Sequence, residues 1–275
     1  MKQIPRKSWN NYIERLSQID KTAASKVKAF IGVNGLPESA AQASELIDYS
    51  YGLVQKYGSA GAALACEMYD ALSTLEGASV PPAEPAELPT YGETAKAVNG
   101  TIKTQNTEIV AGAVERLVKL SSADTMIKNG IRDNAEWAWI PNGDTCAFCL
   151  TLASRGWQNA TKPILHGGHA EHIHAHCDCT FAIRHKSDTE VEGYDPDKYL
   201  EMYENADTSS YKWGSINNDR NVEKRHWQNM STAQTNGLRR EFYAKNKEKI
   251  NAQKRAAYQK RKELNSSKAE EIKVN

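Results

Sequence analysis

Apolar residues recur at three- and four-residue steps near the start of the chain: Trp9, Tyr12, Ile13, Leu16, Ile19, Ala23, Val27, Phe30 and Ile31. That is the period of one face of an α-helix. Asn34-Gly35-Leu36-Pro37 interrupts it, and Pro37 suits the first turn of a following helix. Leu46, Ile47, Leu53, Val54 and Tyr57 define that second helix, which is expected to stop near Gly58. Ser59 would then cap a third, running through Leu64, Met68, Leu72 and Leu75. Helices this close in sequence pack antiparallel, so residues 1–76 read as an N-terminal helical bundle. Gly77 to Pro89 carries four prolines and cannot be regular structure; 77–92 reads as a Pro-rich linker. Helical spacing resumes with Val98, Ile102, Ile109, Val110, Ala113, Val114, Leu117 and Val118.

The pattern then changes. Trp137-Ala138-Trp139-Ile140 runs into Pro141-Asn142-Gly143-Asp144, as a strand runs into a turn. Thr180-Phe181-Ala182-Ile183 predicts a second short strand, and Asp195-Pro196 opens a short helix with Tyr199, Leu200 and Tyr203. Residues 93–204 thus form a helix plus a small subdomain. Residues 205–275 are a polar segment followed by a long charged helix with few apolar anchors. The fold class is mainly α, with a small α+β subdomain between the bundle and a C-terminal basic helix.

Composition modifies this only in places. A chain of 275 residues suffices for one or two domains. Mean hydropathy is −0.66, so the core should be modest and the helices well solvated. No apolar run approaches the ~20 residues that cross a bilayer. The first residues also lack the apolar stretch of a signal peptide, so a soluble cytoplasmic product with no membrane partner is expected. The net charge of +1 conceals an asymmetry. From Arg239 to Glu263 there are ten Lys/Arg against three Asp/Glu, a net of +7 that leaves −6 for the rest. Arg239, Arg240, Lys245, Lys247, Lys249, Lys254, Arg255, Lys260, Arg261 and Lys262 form this arm, with Phe242, Tyr243 and Tyr258 among them. A run of this kind is either a solvated helix face or a contact for packaged DNA or an acidic partner.

Four of the five cysteines fall in two tight pairs. Cys146-Ala147-Phe148-Cys149 follows a turn, a spacing that lets two thiolates from one tight loop reach a single tetrahedral Zn²⁺. His174-Ala175-His176-Cys177-Asp178-Cys179 lies downstream and would complete a closed shell. In a reducing compartment such pairs read as metal ligands rather than disulfides. The candidates are Cys146, Cys149, His174, Cys177 and Cys179, of which at most four bind one ion. A zinc staple there would substitute for apolar core in a small subdomain. Cys66 stands apart and is expected to pack as a small apolar residue. Between the halves lie His166, His169 and His172, followed by His174 and His176, so that five of the seven histidines crowd into one stretch. Around Gly167-Gly168 this reads as a solvated loop, in which His169 and His172 should be replaceable without loss of stability. The alternative is an open metal site for hydrolysis.

The block from Asp144 through Cys146, Cys149 and Leu152-Ala153-Ser154-Arg155-Gly156-Trp157, followed by His174 to Thr180, resembles the Mu F-like head morphogenesis family, the minor head proteins of tailed bacteriophages. The resemblance covers about residues 137–184. It implies a virion protein of the capsid interior or portal vertex, present in the host cytoplasm during assembly. Its partners would be the portal and the capsid or scaffold proteins, and it implies no catalytic residue. Trp9, Tyr49, Tyr51, Tyr57 and Tyr69 would offer residues 1–76 aromatic anchors for the portal. The alternative from another class is a zinc-dependent nuclease using the His-rich loop 166–176. A third reading, a zinc-ribbon DNA-binding regulator, explains the arm but not the bundle.

Overall fold

The fold was analysed in a computed structural model, which describes residues 2–142, 147–170, 173 and 178–205. A short strand β1 (Lys2–Ile4) leads into helix α1 (Arg6–Asn34). The buried residues of α1 include Trp9, Tyr12, Ile13, Leu16, Ala23, Val27 and Ile31, the stripe its spacing predicts. Helix α2 (Ala40–Glu76) begins at Ser39, whose hydroxyl accepts from the Gln42 N–H while Gln42 reaches back, a reciprocal capping box.

The expected break at Gly58 does not occur, and α2 runs unbroken to Glu76. The glycine serves close packing instead. A Cβ at Gly58 would lie 2.6 Å from the Ser121 Oγ of helix α4 (Thr107–Arg132). At Gly61 it would lie 3.7 Å from the Ser122 Cβ of the same helix. Ser59 does not cap; its hydroxyl donates back to the Gln55 carbonyl at 2.8 Å.

The Pro-rich segment is not a hinge either. It is a strap across α2 and α4, held by side chains of both. Ala83 N–H donates to Asp70, Glu84 N–H to Asn129 and Ala86 N–H to Thr125, at 2.8–3.0 Å. Asn129 donates in return to the Glu84 carbonyl, and Arg132 donates to the carbonyls of Pro81 and Pro82. Residues on both sides of the strap share one core. The strap ends at Thr90, which caps helix α3 (Tyr91–Ile102) in a second capping box with Glu93. The helical spacing that resumes at Val98 belongs to two helices, α3 and α4, with Gln105 at φ 49° between them.

Helix α4 is the centre of the body. It is buried along most of its length, polar residues such as Glu115, Lys119, Asp124 and Asn129 included. After it come β2 (Glu136–Ile140), helix α5 (Ala147–Ala153), β3 (Gln158–Asn159), the hairpin strands β4 (Leu165–His166) and β5 (His169–Ala170), β6 (Thr180–Arg184), β7 (Thr189–Val191) and α6 (Pro196–Glu204). The two predicted strands are β2 and β6. They pair antiparallel at the heart of a three-stranded sheet ordered β3-β2-β6, with Ile140 opposite Thr180 and Glu136 opposite Arg184. Every residue of β6 is buried. Trp137 and Trp139 both meet the Phe181 ring edge-on, at 5.1 and 4.8 Å. Separately, β1 pairs parallel with β7, placing Lys2 opposite Thr189.

Two of the aromatic residues expected as surface anchors, Trp9 and Tyr69, are fully buried. Tyr49, Tyr51 and Tyr57 are only part-buried. No helix among the described residues is long and apolar enough to cross a membrane. The basic arm from Arg239 to Lys262 lies outside the described residues.

Gly52, in the same helix as Gly58, faces open space. Gly52→Ala should therefore raise the unfolding free energy by roughly 0.5–1 kcal/mol through helix propensity. Gly58→Val should lower it by roughly 1–3 kcal/mol through overpacking against α4. Denaturant melts of the two variants check the unbroken helix.

Candidate metal centre

The register of β2 and β6 decides where the cysteine segments meet. Because Ile140 faces Thr180, the chain leaving β2 and the chain entering β6 lie at the same end of the sheet. The first carries the Cys146–Cys149 pair, the second the Cys177–Cys179 pair. Of the five candidate ligands, Cys149 and Cys179 are described, and both are buried, at 0% and 7% exposure. Cys146, His174 and Cys177 lie outside the described residues. Cys149 sits in the first turn of α5, so the second cysteine of the pair is on a helix and not in the tight loop expected. Thiols are donors that zinc accepts, and here two buried ones stand on separate segments, each with a second cysteine two or three residues away in sequence; among the described residues no three candidate donors come together.

The block after Cys149 is structural. Leu150, Leu152 and Ala153 are buried, and the Ala153 carbonyl accepts from the Tyr194 hydroxyl at 2.7 Å. Gly156 takes φ +66° where the chain turns out of α5, with the Pro196 ring beside it. Trp157 then stacks under the Arg184 guanidinium, 4.4 Å from its ring centroid, and donates its indole N–H to Glu190. Arg184 is itself buried and bonds Glu136 at 2.7 Å and Glu190 at 2.5 Å, closing the far end of the sheet.

Helices grip the downstream segment at several points. Asp178, between the two downstream cysteines, accepts from the Ser17 hydroxyl and the Lys21 ammonium of α1, both at 3.1 Å. Arg116 of α4 donates to the Ile173 carbonyl at 2.8 Å. Beneath them is a small cavity of about 30 Å³ bounded by Leu16, Asp20, Lys119, Trp139, Ile173 and Cys179. It has room for about one or two waters. Lys119 is ion-paired with Glu115 at 2.8 Å, and both are buried. Burial in this wall, with Glu115 and Asp178 adding negative charge, raises the Asp20 carboxyl to about 8 despite the nearby Lys119 ammonium.

The histidine stretch differs from expectation. Leu165-His166-Gly167-Gly168-His169-Ala170 is a tight two-residue hairpin rather than a loose loop, with both glycines at positive φ. His169 is part-buried and bound on both sides. Its Nδ1 lies 2.5 Å from the Asp124 carboxylate of α4, and its Nε2 lies 2.7 Å from the Glu93 carboxylate of α3. Against the expectation of free replaceability, these contacts predict that His169→Ala costs stability. The side chain of His166, together with His172, His174 and His176, lies outside the described residues. Two signals for this arrangement were present in the sequence. Gly-Gly between short alternating segments marks a hairpin turn, and Thr90-x-x-Glu93 marks a helix start. Nothing in the sequence pairs Asp124 with His169.

The described part of the site is a helical body that holds a sheet end carrying two buried cysteines. A family model for the VG15 protein matches residues 3–206, nearly all of the described fold. The chain belongs to the VG15 protein family, a family of phage gene products. No curated protein and no solved structure matches it.

Asp20 supplies a test of the cavity's polarity. A carboxyl whose folded pKa is raised binds its proton in the folded state while the unfolded chain has lost it. Its burden on stability therefore grows as pH rises from about 4 and is complete above about 8. Asp20→Asn should match the native protein near pH 4 and exceed it by roughly 1–3 kcal/mol at pH 8 in denaturant unfolding.

Proposed function

We propose that the protein is a minor component of the phage head, a head morphogenesis protein of the Mu F-like kind. It associates with the portal and with capsid or scaffold proteins, and its cysteine segments hold one structural Zn²⁺. Membership of a phage family and the sequence blocks from Asp144 to Trp157 and from His174 to Thr180 support the first part. The observation that supports the second is the Ile140–Thr180 pairing, which brings the chain leaving β2 and the chain entering β6 to the same end of the sheet. Cys146, Cys149, Cys177 and Cys179, with His174 as the competing donor, would hold the ion. Bound zinc supplies a tetrahedral cross-link between the end of β2 and the start of β6. The residues around it hold the ligand segments in place: Ser17 and Lys21 fix Asp178, and Arg116 fixes Ile173.

A non-catalytic role is favoured over the nuclease because His169, one of the five histidines in the stretch, has both ring nitrogens engaged by carboxylates. Such an imidazole offers no lone pair to a metal or to a substrate proton. The arm from Arg239 to Lys262 is assigned to packaged DNA through its charge.

Purified in reducing, zinc-replete buffer, the full chain should contain about one zinc by elemental analysis, and Cys149→Ser or Cys179→Ser should lose it. Protein that folds without stoichiometric metal would remove the zinc reading alone. Co-expressed with the portal of the same phage, the full chain should be retained on it, as should a chain ending at Leu238. Only the longer chain should hold DNA, with an affinity falling by orders of magnitude between about 50 and 200 mM salt. Failure of both chains to bind the portal removes the vertex assignment.

A further inference from the structure

The contacts of His169 carry a consequence independent of the zinc reading. An imidazole that meets a carboxylate oxygen at each ring nitrogen needs two N–H donors, and neutral imidazole has one. With both carboxylates ionised and the imidazole neutral, one nitrogen lone pair would face an anionic oxygen at under 3 Å, a repulsive contact in a largely buried place. The cluster closes only if it carries one more proton, on the imidazole or on the Asp124 carboxyl. Asp124 has no exposed side-chain surface, and its second oxygen accepts the Ala170 N–H at 2.5 Å. One carboxylate therefore binds both the imidazole and the backbone of β5.

We propose that Asp124, His169 and Glu93 form a one-proton latch that holds the β4–β5 hairpin on helices α3 and α4 and releases it when that proton is lost.

The surroundings set the sign. The charged groups around the ring are Asp124 and Lys128 from α4 and Glu93 from α3. Burial alone would lower the imidazole pKa, but the hydrogen bonds and charges of Asp124 and Glu93 outweigh it, and the net shift is upward. Burial also raises Asp124 against the opposing bonds from Ala170 and His169, so both partners favour keeping the proton. Glu93 is held at about 2, first by the Thr90 N–H it caps, so it stays ionised far into the acid range. A base with a raised closed-state pKa gives its full stabilisation below the ordinary imidazole value of about 6.5 and loses it as pH rises through the raised value. The latch is therefore shut in mild acid and opens on the alkaline side of neutrality.

The Ala170 amide reports the state of the latch, and its exchange can be followed in the full-length protein by NMR between about pH 6 and 9. After correction for intrinsic exchange, opening should increase by up to about tenfold per pH unit until the raised pKa is passed, the slope for one released proton. His169→Gln should expose the amide across the whole range. Glu93→Gln is the decisive variant. Its carbonyl can keep the Thr90 cap while its amide N–H₂ faces Nε2, which satisfies a neutral imidazole donating through Nδ1 to Asp124. That variant should stay protected, with little pH dependence. A flat profile in the native protein, or an unchanged slope in Glu93→Gln, would overturn the proposal. So would imidazole ¹⁵N shifts showing His169 neutral at about pH 6 in the native protein.

Discussion

Helix α4 is surrounded by protein along most of its length, yet its sequence is not that of an apolar rod. A buried polar side chain must find a partner or lose roughly 1–3 kcal/mol. On α4 many of those partners belong to the Pro-rich strap and to the small hairpin rather than to other helices. Asn129 and Thr125 bind the backbone of the Pro-rich strap, Asp124 binds the hairpin, and Arg116 binds the Ile173 carbonyl. The helix thus acts as a rail of hydrogen-bonding groups on which these parts of the chain are registered. Removing any one of these side chains would leave a backbone amide or carbonyl without the partner it now has.

The same constraint explains the glycines. A rail that is to be buried must be approached closely, and α2 does this through Gly58 and Gly61, which lie against Ser121 and Ser122. The cost of glycine in a helix interior, about 1 kcal/mol relative to alanine, is offset by backbone contact that a side chain would prevent. On the other side of α4, Gly130 admits Ile183 of β6, where an added Cβ would stand 3.2 Å from its Cδ1. Small residues on α2 and α4 therefore set the spacing of both the bundle and the sheet. The cysteine segments inherit their position from that spacing.

How far the sequence discloses this depends on the range of the interaction. The stripe of α1, the strands at Trp137–Ile140 and Thr180–Ile183, and the Asp195 cap of α6 are local patterns, and each is found where its pattern predicts. Gly58 misleads because the signal for a helix end and the signal for a close helix crossing are the same residue. The strap misleads because prolines announce irregular backbone but not whether it is free; its attachment depends on Asp70, Thr125 and Asn129, up to 45 residues away. The site divides in the same way. Cysteine spacing is legible, while the carboxylates that capture His169 come from two helices whose nearness only the fold creates.

The pairing of β1 with β7 bears on the order in which the protein is made. Lys2 to Ile4, the first residues described, lie parallel to Thr189–Val191, and the Arg6 amide is bound by the Glu192 side chain. A ribosome releases residues at roughly 5–20 per second, so β1 must wait tens of seconds or less for its partner strand to exist. During that interval α1 and α2 can dock and α4 can be captured between them, but the amino-terminal strand has nothing to pair with. Closure of this ribbon is therefore the step that signals a completed body. Because the contact spans nearly the whole described chain, it is also the step with the largest loop to close.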